Sequence, residues 1–233
     1  MRFEEAAERL ARLPDRIASP SAPGTNSGRP WRLPPGPASL MPVFSDGRPR
    51  AELRLDQVAG DRPAAVLVLV APDRTGTAVV ILTERATYDG VHSGEVSFPG
   101  GKAEPEDRDL EATALREAAE EVGLDPGAAQ VEVLGRLDEL RIPVSRFSIS
   151  PILAVAHVRP SLDPAPAEVA QIIEAPLAAF LPGAPIEMVE RQVRDWPLRY
   201  GGYRIDGLHV WGATARILGQ LGALVGALGA ESA

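Results

Sequence analysis

Apolar residues run without a break over residues 64–71 (AAVLVLVA), which suits a strand buried on both faces rather than one that alternates. A turn-forming stretch at 72–76 leads into a second β-branched run at 77–83 (TAVVILT), so the pair reads as a hairpin. Residues 84–97 are polar, a loop with a short strand towards its end. From about 109 to 122 the period becomes helical, with Ala114, Leu115, Ala118, Ala119 and Val122 offering a small apolar face and Gly123 a stop. Strands are expected at 131–140 and 147–158, with a Pro-containing loop between them and a Pro-rich loop after. A helix or turn broken at Pro176 is expected over 169–181. Strands at 186–193 and 198–205 precede a closing amphipathic helix at 210–228, with Trp211, Ile217, Leu218, Leu221 and Val225 inward.

Upstream, Phe3, Ala6, Ala7, Leu10 and Leu13 form one stripe of a short helix that Pro14 ends. Residues 19–50 are rich in Pro, Gly and Ser and read as an irregular arm, part of which packs through Trp31, Leu33, Leu40, Met41, Val43 and Phe44. The chain therefore divides into a helix and arm over 1–60 and a main domain over 61–233. Mixed strands with two sizeable helices predict an α/β protein, an α/β/α sandwich around a mixed β-sheet.

The 233 residues carry a net charge of −8, which argues against a general nucleic-acid-binding surface. The chain has no cysteine, so disulfides, Cys-ligated zinc and thiol nucleophiles are excluded. No G-x-S-x-G elbow supports serine-triad hydrolysis. The first residues, MRFEEAAERLARLPDRI, hold no apolar signal core, and no uninterrupted apolar run reaches membrane-spanning length, so a cytoplasmic protein is expected. An acidic protein that handles phosphates needs a local device, a metal ion or a few placed cations.

Glu117, Glu120 and Glu121 are the candidate device. At i, i+3 and i+4 they project from one helical face, where like charges repel and a hard divalent cation with oxygen ligands relieves the repulsion. The alternative is a solvated acidic face. Gly100 and Gly101, without Cβ atoms, let backbone approach a metal or phosphate closely. Arg116 either meets substrate or bridges a Glu and a loop carbonyl, fixing the loop against the helix. Lys102 either faces a phosphate or is a solvated loop lysine.

A Phe-Pro-Gly-Gly turn (Phe98 to Gly101) ahead of Arg116, Glu117, Ala118, Glu120, Glu121, Gly123 and Leu124 resembles the Nudix box, G-x5-E-x7-R-E-U-x-E-E-x-G-U with U apolar. The second half matches without a gap. In the first half the spacing from Gly101 to Arg116 is one residue longer, and the position eight before Arg116 holds Arg108, flanked by Asp107 and Asp109. The resemblance implies the Nudix fold, an Mg²⁺ or Mn²⁺ cofactor held by Glu117, Glu120, Glu121 and Gly101, and hydrolysis of a phosphoanhydride.

Ile81-Leu82-Thr83, Arg85, Ala86, Gly94 and Phe98 to Gly101 are similar to the signature of the coenzyme A diphosphatase branch, LLTxR[SA]x3Rx3Gx3FPGG, with Gly90 in place of its second Arg. Leu137 to Leu140 with Pro143, Ser145, Phe147 and Pro151, and Val210 to Ala215, resemble the same branch. That branch cleaves coenzyme A to 3′,5′-ADP and 4′-phosphopantetheine. Arg85 then binds a phosphate or forms a surface ion pair; His92 contacts substrate or hydrogen-bonds within its loop; Glu168 is a general base or further metal ligand, or a solvated loop acid. His157 and His209 are expected to be structural. Catalysis is expected from Glu120, Glu121 and Glu168. The expected partner is a small nucleotide, coenzyme A by the resemblance, with no nucleic acid or membrane, and with a homodimer left open. Two alternatives stand: the same chemistry on ADP-ribose, NADH or a dinucleoside polyphosphate, or a catalytically silent binding module of the same fold.

Overall fold

A computed structural model describes residues 1–13, 33–44, 62–86, 95–142, 146–193 and 196–230. At its centre lies β2 (Arg62–Pro72), which pairs in parallel with β8 (Phe147–Ala156), from Arg62 opposite Phe147 to Val70 opposite Val155. The sheet runs β4 (Val96–Ser97), β3 (Ala78–Arg85), β2, β8, β6 (Val131–Arg136). Three more strands join it: β5 (Gly100–Lys102) on β2, β7 (Leu140–Ile142) on β8, and β9 (Val169–Pro176) on β3. This is a mixed eight-stranded sheet with helices on both faces, an α/β architecture.

The unbroken apolar run in β2 follows from that placement, because both of its faces are covered. Ala65, Leu67, Leu69 and Ala71 pack under α2 (Leu110–Val122), against Ala114, Ala118 and Val122. Val68 and Val70, with Val80 and Leu82 of β3, face α1 (Phe3–Leu10) and α3 (Gly212–Ala230) through Phe3, Leu10, Ile217, Leu218 and Leu221. A smaller sheet of β1 (Val43–Phe44), β10 (Glu187–Val193), β11 (Trp196–Ile205) and β12 (Leu208–Val210) adds Tyr203 and Ile205 to this second core. The arm does pack where it is described: Leu33 and Leu40 are buried and β1 pairs with β11, while Met41 is exposed. Trp31 lies outside the described residues.

Four expectations need correction. Residues 169–176 are strand β9, not helix: Val169, Ile173 and Ala175 turn inward with a period of two and cover β3, and only Leu177–Phe180 forms a 3₁₀ turn after Pro176. The expected strand at 131–140 divides into β6 and β7, both paired with β8, with a bulge in β6 between Val133 and Gly135. Hairpin strand β12 delays the closing helix to Gly212. Ala119 is exposed and Glu121 buried, because the stripe through Ala114 and Ala118 continues at i+3 to Glu121, one residue beyond Glu120.

α3 is also long and apolar enough, at mean hydropathy 1.3, to pass by composition for a membrane span; 56% of that stretch is buried in the core, which accounts for its apolarity. Leu67 is fully buried between β2 and α2. Leu67→Ala is expected to cost about 2–5 kcal/mol of stability, read from chemical denaturation.

Candidate active site

One end of the large sheet gathers the candidate residues. β3 ends there at Arg85, β2 and β8 begin there, β9 starts opposite Arg85 at Val169, and β5 pairs Gly101 with Ala65 and Gly100 with Val66. α2 crosses this end. Asp109 caps it by accepting the Ala112 N–H at 2.8 Å, and Gly123 closes it in the left-handed region at φ 64°.

Two of the three glutamates turn towards the glycine bend. Glu121 Oε2 accepts the Gly100 N–H at 3.0 Å, and the side chain lies almost wholly inside. Gly100 has φ 152°, and a Cβ on it would run into the Ala65 carbonyl oxygen. A Cβ on Gly101 would meet the Glu117 carboxylate at 2.5 Å, so the carboxylate occupies the space that a side chain would need. Burial raises the Glu121 carboxyl to about 7; the Gly100 N–H and Arg85 oppose the rise, while Glu117 and Glu168 add to it. Burial raises Glu117 too, against the pull of Arg116, with Glu120 and Glu168 adding repulsion.

Glu120 stands apart. Its side chain is 60% exposed and accepts from Arg116 Nη1 at 3.0 Å. Arg116 is the hub of the helix start. Its Nε and Nη2 donate to the two oxygens of Asp107 at 2.9 and 3.0 Å, Nη2 reaches the Lys102 carbonyl at 3.2 Å, and Nη1 lies 3.1 Å from Glu117. Asp107 also accepts the Glu104 N–H at 2.9 Å and the Thr113 hydroxyl at 2.9 Å. These donors, Arg116 first, hold its carboxyl well below the ordinary range, and Asp107 in turn raises the guanidinium. Asp107 escaped sequence reasoning. Counting back from Arg116 falls on Arg108, whereas counting forward from Gly101 falls on Asp107, the acid that meets Arg116.

Glu168 comes to the same place from another element. The loop after β8 is hung on the end of α2: Asp163 N–H donates to the Val122 carbonyl and Ala165 N–H to that of Glu121, both at 2.9 Å. Glu168 follows, exposed, its carbonyl accepting from Ala86 N–H at 2.9 Å, and it acts on both Glu117 and Glu121. Arg85 is half-buried and near enough to draw on Glu121. Lys102 is exposed beside the bend, pairs with Ala64 as the last residue of β5, and accepts from Arg116 at its carbonyl. His92, with Gly90 and Gly94, lies outside the described residues. His157 pairs with Glu132 at 2.9 Å, and His209 lies beside the Tyr200 ring.

Among the described residues no three acidic or histidine side chains converge tightly enough to cage an ion as placed. The donor chemistry nevertheless fits a hard cation. Glu117 and Glu121 are carboxylates raised by burial against a bend where glycine leaves no side chain, Glu168 adds its charge to theirs, and Arg116 and Arg85 only partly offset the set. Glu117, Glu121 and the Gly101 backbone border that space, with Glu120 and Glu168 at its margin.

A NUDIX domain model matches residues 61–191. "Nudix hydrolase 15, mitochondrial" of Arabidopsis thaliana is 37% identical over 164 residues, covering 66% of this chain and 55% of that protein. "Uncharacterized Nudix hydrolase NudL" of Photorhabdus laumondii is 37% identical over 163 residues, covering 69% of this chain and 83% of its own. The chain spans about half the length of the plant relatives it matches. Among solved structures, a Nudix hydrolase from M. smegmatis, RenU, has TM-score 0.42 at 24% identity, covering 59% of this chain and 79% of that one.

The raised carboxyl of Glu121 sets a pH dependence. With a folded value of about 7 against an ordinary 4.5, the native chain holds a proton that the unfolded chain releases. The stability it contributes is present below pH 4.5 and lost as pH rises through 7. The melting temperature of metal-free protein is expected to fall across that window. Glu121→Gln should flatten the fall, and Mg²⁺ should restore stability to the wild type at the alkaline side.

Proposed function

Since the chain belongs to the Nudix family, we propose that it is a divalent-cation-dependent hydrolase that cleaves the diphosphate bridge of coenzyme A or its thioesters, giving 3′,5′-ADP and 4′-phosphopantetheine or its acyl form. The observation that carries the hydrolytic reading is the pair of buried carboxylates, Glu117 and Glu121, pressed against a glycine bend with Glu168 facing them. Support for the substrate comes from Thr83, Arg85, Ala86 and the Phe98–Gly101 turn. Arg85 stands at the end of β3 within electrostatic reach of Glu121.

A cation bound here supplies positive charge against the phosphate oxygens and lowers the pKa of an attacking water. The rest falls to the chain. Glu117 and Glu121 present their oxygens at the bend. Arg116, locked to Asp107, holds the helix start against β5 so that this presentation stays rigid. Arg85 and Lys102 are the cations for phosphate oxygens on either side of the bend. Exposed Glu168 is the carboxylate best placed to take the proton from water, with Glu120 second, because Glu117 and Glu121 face inward.

A second reading, the same cleavage in another nucleoside diphosphate derivative such as ADP-ribose, NADH or a dinucleoside polyphosphate, is favoured by Gly90, which removes a cation from the coenzyme A signature. A substrate panel with Mg²⁺ and Mn²⁺, ranked by kcat/KM, decides between them. Coenzyme A is expected to rank first with 3′,5′-ADP as product, and its absence from the active substrates would reject the first reading. Glu117→Gln and Glu121→Gln are expected to lower kcat about 100-fold or more with little change in KM, since charge stabilisation worth several kcal/mol is lost in the transition state. Gly101→Ala should lower kcat as well while the protein still folds, because the new methyl displaces the Glu117 carboxylate.

A further inference from the structure

A second concavity runs along the outer edge of the large sheet. Among the described residues β9 pairs only with β3, so its other side is a free sheet edge. Residues 171–174 of that edge line a cleft of about 480 Å³. Residues 159–162 and Pro164, from the loop after β8, line it too, as do Asp206 and Leu208 from the β11–β12 hairpin. Arg74 reaches it from the β2–β3 turn, which joins the end of β3 opposite Arg85. The volume is that of a small-molecule site, and none of Glu117, Glu120, Glu121, Glu168 or the glycine bend lines it.

Arg159 gives this cleft an unspent donor. Its Nη2 donates to Glu174 Oε1 at 2.7 Å, which fastens the loop to β9, but its Nε is buried and has no hydrogen-bond partner. A buried donor without an acceptor is costly, and an acceptor brought in against Arg159 removes that cost. Arg74 and Asp206 add one charge of each sign, and neither makes a hydrogen bond or ion pair among the described residues. The charged lining balances, two arginines against two acids, with Asp73 a further acid near Arg159. A polyanion or a polycation therefore finds no matching field there. A ligand that carries an anionic acceptor and a cationic donor together does, and Leu162, Ile172 and Leu208 offer apolar wall for a hydrocarbon body.

We propose that this cleft is an effector site for a small zwitterion with an apolar body, an α-amino acid or short peptide, whose carboxylate meets Arg159 and Arg74 and whose ammonium meets Asp206. The binding is independent of which diphosphate the chain cuts; its consequence rests on the metal-dependent reading above. The wall of the cleft is the loop that carries Glu168. Between its lining residues, Asp163 N–H donates to the Val122 carbonyl, and just past them Ala165 N–H donates to that of Glu121, both at 2.9 Å. Glu168 then acts on Glu117 and Glu121. A ligand that grips residues 159–164 fixes the same loop, so a filled cleft preorganises the carboxylates for the cation.

Calorimetry of the full, metal-free chain with L-leucine, leucyl-leucine, 4-methylpentanoate and 3-methylbutylamine tests it. The better of the two zwitterions, which tells a single amino acid from a peptide, is expected to bind about tenfold or more tightly than either singly charged analogue, the worth of a hydrogen bond to a charged group. Arg159→Lys keeps a cation beside Glu174 but removes the fork, and should weaken that binding about tenfold while the melting temperature holds. Asp206→Asn suits the left-handed backbone at φ 48° and should erase the advantage over 4-methylpentanoate. The bound zwitterion should raise Mg²⁺ affinity about fivefold, and Mg²⁺ should raise affinity for the zwitterion by the same factor. No binding of either zwitterion, or binding that both variants keep unchanged, overturns the site. Binding with Mg²⁺ affinity unaltered overturns its role as an effector site. A protein that shows the binding and the coupling but cleaves no coenzyme A overturns the substrate reading alone.

Discussion

The site depends on one hydrogen bond, from the Gly100 N–H to a carboxylate that the helix carries inward. Glu121 sits on the buried stripe of α2, where an apolar residue would satisfy packing alone. Burying a carboxylate there is unfavourable, and the single backbone donor only partly offsets it, which is why its carboxyl titrates near neutrality. The bond also fixes the helix to the bend. The bend needs glycine because Gly100 lies against the Ala65 carbonyl and Gly101 against Glu117. Helix, bend and central strand are thus mutually determined, and each explains why the other two have the residues they have.

A second layer of charge holds the first in register. Arg116 answers to Asp107, Glu117, Glu120 and the Lys102 carbonyl at once, and Asp107 is itself fed by Thr113 and Glu104. The planar guanidinium bridges helix start and loop as a lysine would not. In a protein of net charge −8, the acids at this face are gathered beside a few fixed cations.

Much of the architecture was legible in the pattern of apolar residues. The unbroken run at 64–71 announced a strand covered on both faces, and the i, i+4 spacing of Ala114, Ala118 and Val122 announced the face that α2 buries. The reading failed where tertiary pairing overrode local signals. β9 looked like a helix broken at Pro176 because its apolar residues satisfy either period; the exposed edge of β3 chose between them. In the candidate site, the motif picked out residues but not how they divide in space. Spacing places Glu117, Glu120 and Glu121 together, yet Glu120 lies with Arg116 and the other two with the glycines, since only a three-dimensional count shows which rung faces the sheet. Asp107 was obscured by a single inserted residue, which changes register along the chain without moving the acid away from Arg116.

The two hydrophobic cores meet at β2 and share no residue. One supports the carboxylates on α2; the other supports α3, the arm and the small sheet. Mutational drift on the second side can therefore loosen or repack α3, the arm and the small sheet while the carboxylates on the first keep their footing.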